Sequence, residues 1–186
     1  MILQCLSSED RMRLLHTGLS VNGFTLLHLI ADYDKTGETM KTVLELVRED
    51  QYYHLLSVQT NSYDFTPLHT AYLNNNSAAV LEVIMRLVTS EQTRYKLLQI
   101  PDSVGGRTPL HYEAFNNSTQ AIRIIADSVS SHQLIHLLTI TDKYGHTPVQ
   151  VAARLGNQEA VKLLQEYHTT ANLIVRALQQ TDYTGK

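Results

Sequence analysis

The chain of 186 residues holds one cysteine, Cys5, so no internal disulfide can form, and a reducing compartment, cytosol or nucleus, is expected. Cys5 itself reads as a small core hydrophobe rather than a reactive thiol. No apolar run approaches the length of a membrane span, and the start lacks the cationic region of a signal peptide. An excess of positive charge is missing too. The formal net charge is −3, which makes no case for nucleic acid or an anionic membrane as partner, since either calls for a basic stripe. Long polar tracts are absent, so with 43% hydrophobic residues the chain reads as one folded body. The sequence contains no P-loop, Gly-x-Ser-x-Gly, His-Glu-x-x-His or dinucleotide fingerprint, and Gly105-Gly106 reads as a turn rather than a phosphate cradle. No enzyme activity and no cofactor are expected.

What is present is repetition. Thr66-Pro67-Leu68-His69 returns as Thr108-Pro109-Leu110-His111, and in weaker form as Thr25-Leu26-Leu27-His28 and Thr147-Pro148-Val149-Gln150. The threonines are separated by 41, 42 and 39 residues. A tetrapeptide at nearly constant spacing means stacked units, which offer one long surface rather than an enclosed pocket. Threonine suits a helix N-cap, and proline the first helical position, where no backbone donor is required. Ala152 and Ala153 are small enough for close helix packing. Nine residues after each threonine stand Asp34, Asn75, Asn117 and Gly156, drawn from the small class that tolerates a left-handed backbone, so each is expected to end a short first helix.

Second helices are expected where apolar residues recur at helical spacing, around Val43-Leu44-Leu46-Val47, Val80–Val88, Ile122–Val129 and Val161-Leu163-Leu164. Each unit then carries extra residues that align with one another: Ser8–Leu15, Arg48–Leu56, Ser90–Leu98 and Ser130–Leu138. A polar cap, an acidic or amide residue and a closing Leu-Leu predict a short third helix, followed by a finger turn.

The unit Asp142–Asn157 followed by Gln158–Leu164 resembles the ankyrin repeat, and with its Thr-Pro-Leu-His-x-Ala phase the resemblance covers essentially the whole chain. It implies an all-α ankyrin-repeat solenoid of helix pairs plus a short third helix per repeat. The expected layout is a single domain over 1–186: a partial element at 1–22, repeats at 23–63, 64–105, 106–144 and 145–184, and a stop before a further repeat. Ile2–Leu6 is read as the tail of a second helix, Thr169–Leu178 as another short third helix, and Thr181–Lys186 as a finger. The chain is thus expected to be a piece of a longer array, monomeric or stacked end to end at its cut ends.

The resemblance implies that His28, His69 and His111 are structural, each bonding the threonine of its own turn and the backbone of a neighbouring unit. His132 and His136 lie at i, i+4, a spacing that can hold zinc, but no acidic or cysteine ligand accompanies them, so a solvated helix face is expected. The slot five residues after the threonine holds Ile30, Ala71, Glu113 and Ala152. Glu113 there calls for a local partner or a helix rotated enough to expose it, because an unpaired buried carboxylate is costly.

The resemblance places partners, as another protein or a peptide segment, on the concave face of fingers and first-helix ends. By phase that face holds Val21, Asn22, Phe24, Asp32 and Tyr33, then Ser62, Tyr63, Phe65, Leu73 and Asn74. Further along come Val104, Arg107, Phe115 and Asn116, and finally Lys143, Tyr144, His146, Arg154 and Leu155. The residues expected to contact a partner are Tyr33, Tyr63, Phe65, Leu73, Arg107, Phe115, Asn116, Lys143, Tyr144 and Arg154, chosen for the aromatic and arginine content typical of binding hot spots. For Phe24 and Phe65, packing on the next finger is weighed evenly against partner contact. Positive charge gathers at Arg107, Lys143 and Arg154, matching a partner with an acidic end and an apolar middle. The alternative is a spacer or autoregulatory arm in a larger protein.

Overall fold

The computed structural model describes residues 5–73 and 77–184, the side chains of Ser77 and of 177–184 excepted. Asn74 and Asn75, with Met1–Gln4, Gly185 and Lys186, lie outside the described residues, so their expected roles find no test there. The described residues are helical and form no strand. In chain order the helices are α1 (Ser8–His16), α2 (Leu26–Tyr33), α3 (Glu38–Leu44), a 3₁₀ turn (Glu49–Gln51) running into α4 (Tyr52–Leu56), α5 (Pro67–Thr70) and α6 (Ser77–Leu87). They continue as α7 (Glu91–Leu98), α8 (Pro109–Phe115), α9 (Thr119–Asp127), α10 (Ser131–Thr139), α11 (Pro148–Leu155) and α12 (Gln158–Thr184).

First and second helices pack on their counterparts in the next units. First helices stack as α2 on α5, α5 on α8 and α8 on α11; second helices as α3 on α6, α6 on α9 and α9 on α12. The third helices form the extra layer, with α4 on α7 and α10 on α12. Their closing leucines Leu55, Leu56, Leu97, Leu98, Leu137 and Leu138 are buried, as the pattern predicts. Polar caps start them: the Ser7 hydroxyl accepts from Asp10 N, that of Ser90 from Thr93 N, and Ser130 forms a reciprocal box with Gln133. Arginines on this layer tie units together. Arg94 donates to the carbonyls of Val88 and Thr89 in its own unit and to Ser128 O of the next, at 2.6–3.0 Å. These are the carbonyls left without intrahelical donors at second-helix ends.

The finger turns share one geometry. In each, a backbone N–H closes on a carbonyl four or five residues on: Leu19 to Phe24, Thr60 to Phe65, Asp102 to Arg107 and Asp142 to His146, at 2.7–2.9 Å. Two residues before each threonine stand Gly23, Asp64, Gly106 and Gly145, all with positive φ of 54–79°. Adjacent fingers are then hydrogen-bonded in series, Asn61 N to Asn22 O, Ser103 N to Tyr63 O and Lys143 N to Gly105 O.

The structure corrects four expectations. Asp34 is not left-handed: its φ is −80°, and the left-handed residue is Gly37. Asp34 still ends the first helix, its N–H bonding Ile30 O, but its carboxylate accepts from the backbone N–H groups of Thr36, Gly37 and Met40 and so caps the second helix as well. Asn117 and Gly156 do take positive φ, 54° and 75°. The last unit has no separate third helix, because α12 runs unbroken from Gln158 to Thr184 and includes the segment Thr181–Thr184 expected to form a finger. Thr169, at the start of the expected third helix, sends its hydroxyl back to Gln165 O at 2.9 Å, and no serine, glycine or proline interrupts the run. Cys5 is exposed rather than in the core. Ala153 is exposed as well, leaving Ala152 alone as the close-packed alanine of that pair.

Gly37 yields a test of the stack. A Cβ there would lie 2.7 Å from the backbone oxygen of Ala79 and from a Val83 methyl, both in the neighbouring unit, and φ is +76°. At Gly156 φ is similar but nothing lies within 4 Å. Gly156→Ala is therefore expected to cost about 1 kcal/mol, the left-handed penalty alone. Gly37→Ala should cost about twice that or more, since a packed backbone must shift. Urea titration of the two variants side by side checks the order.

Candidate functional site

The threonine–histidine turns form the spine against which any surface site is held. Thr25, Thr66 and Thr108 each donate the backbone N–H to Nδ1 of the histidine three residues on, at 3.1–3.2 Å, with the threonine hydroxyl 2.8 Å from the same atom. Because Nδ1 accepts, the proton sits on Nε2, which donates to the next unit: His28 to Phe65 O, His69 to Arg107 O and His111 to His146 O, at 2.8–3.1 Å. All three rings are buried. Burial pushes His28 and His111 below the usual histidine range and His69 down to about 4, although the carbonyl each one meets works the other way. In the fourth unit Gln150 takes the slot, its Oε1 accepting from Thr147 N at 2.9 Å.

These turns set the fingers, and the fingers with the C-terminal ends of α8 and α11 enclose a cleft of about 290 Å³. Arg107, Phe115, Tyr144 and Arg154, all expected on sequence grounds to meet a partner, line it, with His146 and Leu155 of the same face and Val151 beneath. Lys143 stands beside it, its ammonium 5.2 Å from the Tyr144 ring centre and bonded to the carbonyl of Val104. Tyr144 is 64% exposed and Phe115 40%.

The cations of the cleft are held in place. The Arg107 guanidinium lies 5.6 Å from the Phe115 ring centre and 6.0 Å from that of Tyr112, with its Nε 3.7 Å from the Asp142 carboxylate. Arg154 Nη1 donates to His146 Nε2 at 2.7 Å, and His146 Nδ1 faces the Asp142 carboxylate at 3.4 Å. Asp142 is itself buried. Burial raises its pKa, but the backbone N–H groups of His146 and Tyr144 and the adjoining imidazoles outweigh that and hold it below the usual carboxylate range.

Other expected contact residues are placed differently. Phe65 is a correction: at 7% exposure it belongs to the interior, its ring 5.8 Å from both His69 and Tyr112 and 6.2 Å from Tyr72. His69 and Tyr72 of its own unit and Tyr112 of the next cover it, leaving little of the ring to offer. Asn116 is half-buried and spends its amide on Tyr72 O at 3.0 Å, joining two units. Tyr33, Tyr63 and Leu73 are exposed on earlier units, outside the cleft. Glu113 is fully buried, so the helix is not rotated to expose it. Ile30, Ala71 and Ala152 are buried in the equivalent slot.

Sequence reasoning missed Tyr112, which stacks on Tyr72 at 4.1 Å between ring centres and donates its hydroxyl to Asp102 at 2.7 Å. Burial and the Asp102 contact raise its pKa far above the usual phenol range. A signal existed: Tyr112 occupies the slot four residues after the threonine, where the other units carry Leu29, Thr70 and Val151. Among the described residues no three His, Cys, Asp or Glu side chains come together as a metal-binding group, and His132 and His136 are exposed. No helix among them is long and apolar enough to cross a membrane.

Comparison with solved structures finds a chain in the crystal structure of the yeast ribosomal protein Rps3 in complex with its chaperone Yar1. The two align with a TM-score of 0.55 and 19% identity, over 84% of this chain and 91% of that one, a likeness of fold. The family model for ankyrin repeats matches three copies across residues 80–176, just over half of the chain. With the repeating threonine–histidine turns and the stacked helices behind it, that match means the chain belongs to the ankyrin repeat family.

Proposed function

We propose that this chain is a non-catalytic protein-binding module that receives its partner on the finger and first-helix face, with the cleft around Phe115 and Tyr144 at the centre of contact. Ankyrin repeats serve protein–protein interaction, and a stack of units gives a broad, stiff surface. The observation that carries the reading is the contrast within one aromatic row. Phe65 and Tyr112 are consumed by packing, whereas Phe115 and Tyr144 stand open beside arginines already held by other groups. Side chains fixed before binding lose little entropy on contact, which favours affinity.

Pull-down or proximity labelling with the wild-type chain and a Phe115→Ala, Tyr144→Ala double variant provides the test. Neither ring supports the core, so circular dichroism should show both proteins equally folded. Two central aromatic anchors are each worth about 2 kcal/mol, so the double variant should lose its partner by at least about 100-fold. Equal capture by both folded proteins would instead favour a spacer or autoregulatory arm within a larger protein.

A further inference from the structure

We infer that the cleft takes a short, unmodified acidic peptide segment of its partner, in which an Asp or Glu stands beside a large apolar side chain; this rests on the finger face being the docking surface proposed above. Charge is the first observation. The chain as a whole is acidic, with a net charge of −3, yet three cations, Arg107, Lys143 and Arg154, gather at this one cleft. Among the described residues none that lines it is acidic. The carboxylates nearby are buried and occupied: Asp142 accepts from Tyr144 N and His146 N, and Asp102 from Gly105 N and the Tyr112 hydroxyl. The surface presented outward is therefore positive beyond what Asp142 offsets.

Shape and hydrophobicity supply the rest. The floor is apolar, built from Phe115, Leu155 and the buried Val151, so a purely ionic ligand would leave it uncovered. Arginines braced by ring faces, as Arg107 is by Phe115 and Tyr112, present N–H groups in a planar fork that suits a carboxylate. A volume of about 290 Å³ admits one or two side chains rather than a helix or a domain edge. A base stacked on Tyr144 would satisfy the floor too, but three cations in one cleft form no track for a phosphate backbone.

Selection of random linear peptides on the purified chain tests the chemistry without assuming a partner. Enriched peptides should carry Asp or Glu next to Leu, Ile, Met, Phe or Tyr. In fluorescence anisotropy, changing the acid to its amide should weaken binding at least 10-fold. Arg154→Glu and, separately, Lys143→Glu should do the same, with circular dichroism unchanged, and binding should weaken as salt rises from 50 to 300 mM. Phe115→Ala should weaken it through the floor. Enriched peptides that need Phe115 but are indifferent to the acid-to-amide change would overturn the acidic assignment and leave the docking face standing. Peptides indifferent to Phe115→Ala, or no enrichment at all, would overturn both. A phosphopeptide binding more than 10-fold tighter than its carboxylate counterpart, or displacement of the peptide by oligo-dT, would reassign the cleft to phosphate.

Discussion

Replacing His69 with alanine is expected to cost about 4 kcal/mol and to break the unfolding transition into two. The ring is fully buried and bonds in two directions: Nδ1 accepts from Thr66 N within its own turn, and Nε2 donates to Arg107 O in the next. Alanine leaves the buried Thr66 N–H without a partner, at about 1–3 kcal/mol, removes one of the two donors to Arg107 O, which keeps Asp102 N, and opens a cavity beside Phe65, whose ring stacks on His69 at 5.8 Å. Against a typical total of about 5–15 kcal/mol, that loss is large. Its position matters as much as its size. In a stack, stability is a sum of unit and interface contributions, so a lesion between the second and third units separates the array into halves that unfold at different denaturant concentrations. Urea titration followed by circular dichroism reads both effects. His69→Gln is the control, because Gln150 already fills this slot in the fourth unit and accepts the threonine N–H. It should recover the cap within the turn and about half the loss. A single, undisplaced transition for His69→Ala would show that the histidine bridge contributes little.

The same histidines make the fold sensitive to acid. Below its ordinary value of 6.5 an unfolded histidine binds a proton, whereas folded His69 stays neutral down to about 4. Between those values the unfolded state holds more protons, so unfolding free energy falls as pH falls. The stability is fully present above pH 6.5, and by pH 4 this one residue has removed on the order of 3 kcal/mol. His28 and His111 are shifted in the same direction and add to the loss. Asp34 and Asp142 contribute later. Burial acts to raise the Asp34 carboxyl, but N–H donors from Met40, Thr36 and Gly37 prevail, so both aspartates lie below the usual carboxylate range. Their share is lost only as pH falls below about 4 through those lowered values. Urea midpoints measured from pH 7.5 to 4 should decline steadily from pH 6.5 downward, and His69→Gln should flatten part of that slope. A midpoint constant between pH 7 and 5 would contradict the account.

Most of the architecture was legible in the residues because its chemistry is local and recurs. A threonine that caps a helix and a histidine three residues on that reaches back to it need only their own turn, so the tetrapeptide announces itself in each unit. Third helices were legible for the same reason, most with a serine cap at one end and buried leucines at the other. The last helix shows the limit of the analogy: Thr169 opens a segment that resembles those third helices, but its hydroxyl bonds back to the carbonyl four residues earlier and the helix runs on. Asp34 is similar. Its side chain could serve the helix behind it or the one ahead, and the chain's path through Gly37 selected the latter.

For the candidate site the division is sharper. Sequence phase put Phe65 and Phe115 on one face, and nothing local separates them. Which ring is covered depends on the side chains opposite, and for Phe65 these are Tyr72 and Tyr112, the second of them 47 residues away in the chain. The gathering of Arg107, Phe115, Tyr144 and Arg154 around one cleft likewise arises where two units meet. By itself, then, the sequence determined the repeat and its first and second helices, and through the family resemblance its histidine bridges, because each rests on hydrogen bonds within a turn or between equivalent positions of neighbouring turns. Only the tertiary structure decided which aromatic side chains are spent on packing and which remain open, because burial is a property of neighbours brought together by stacking.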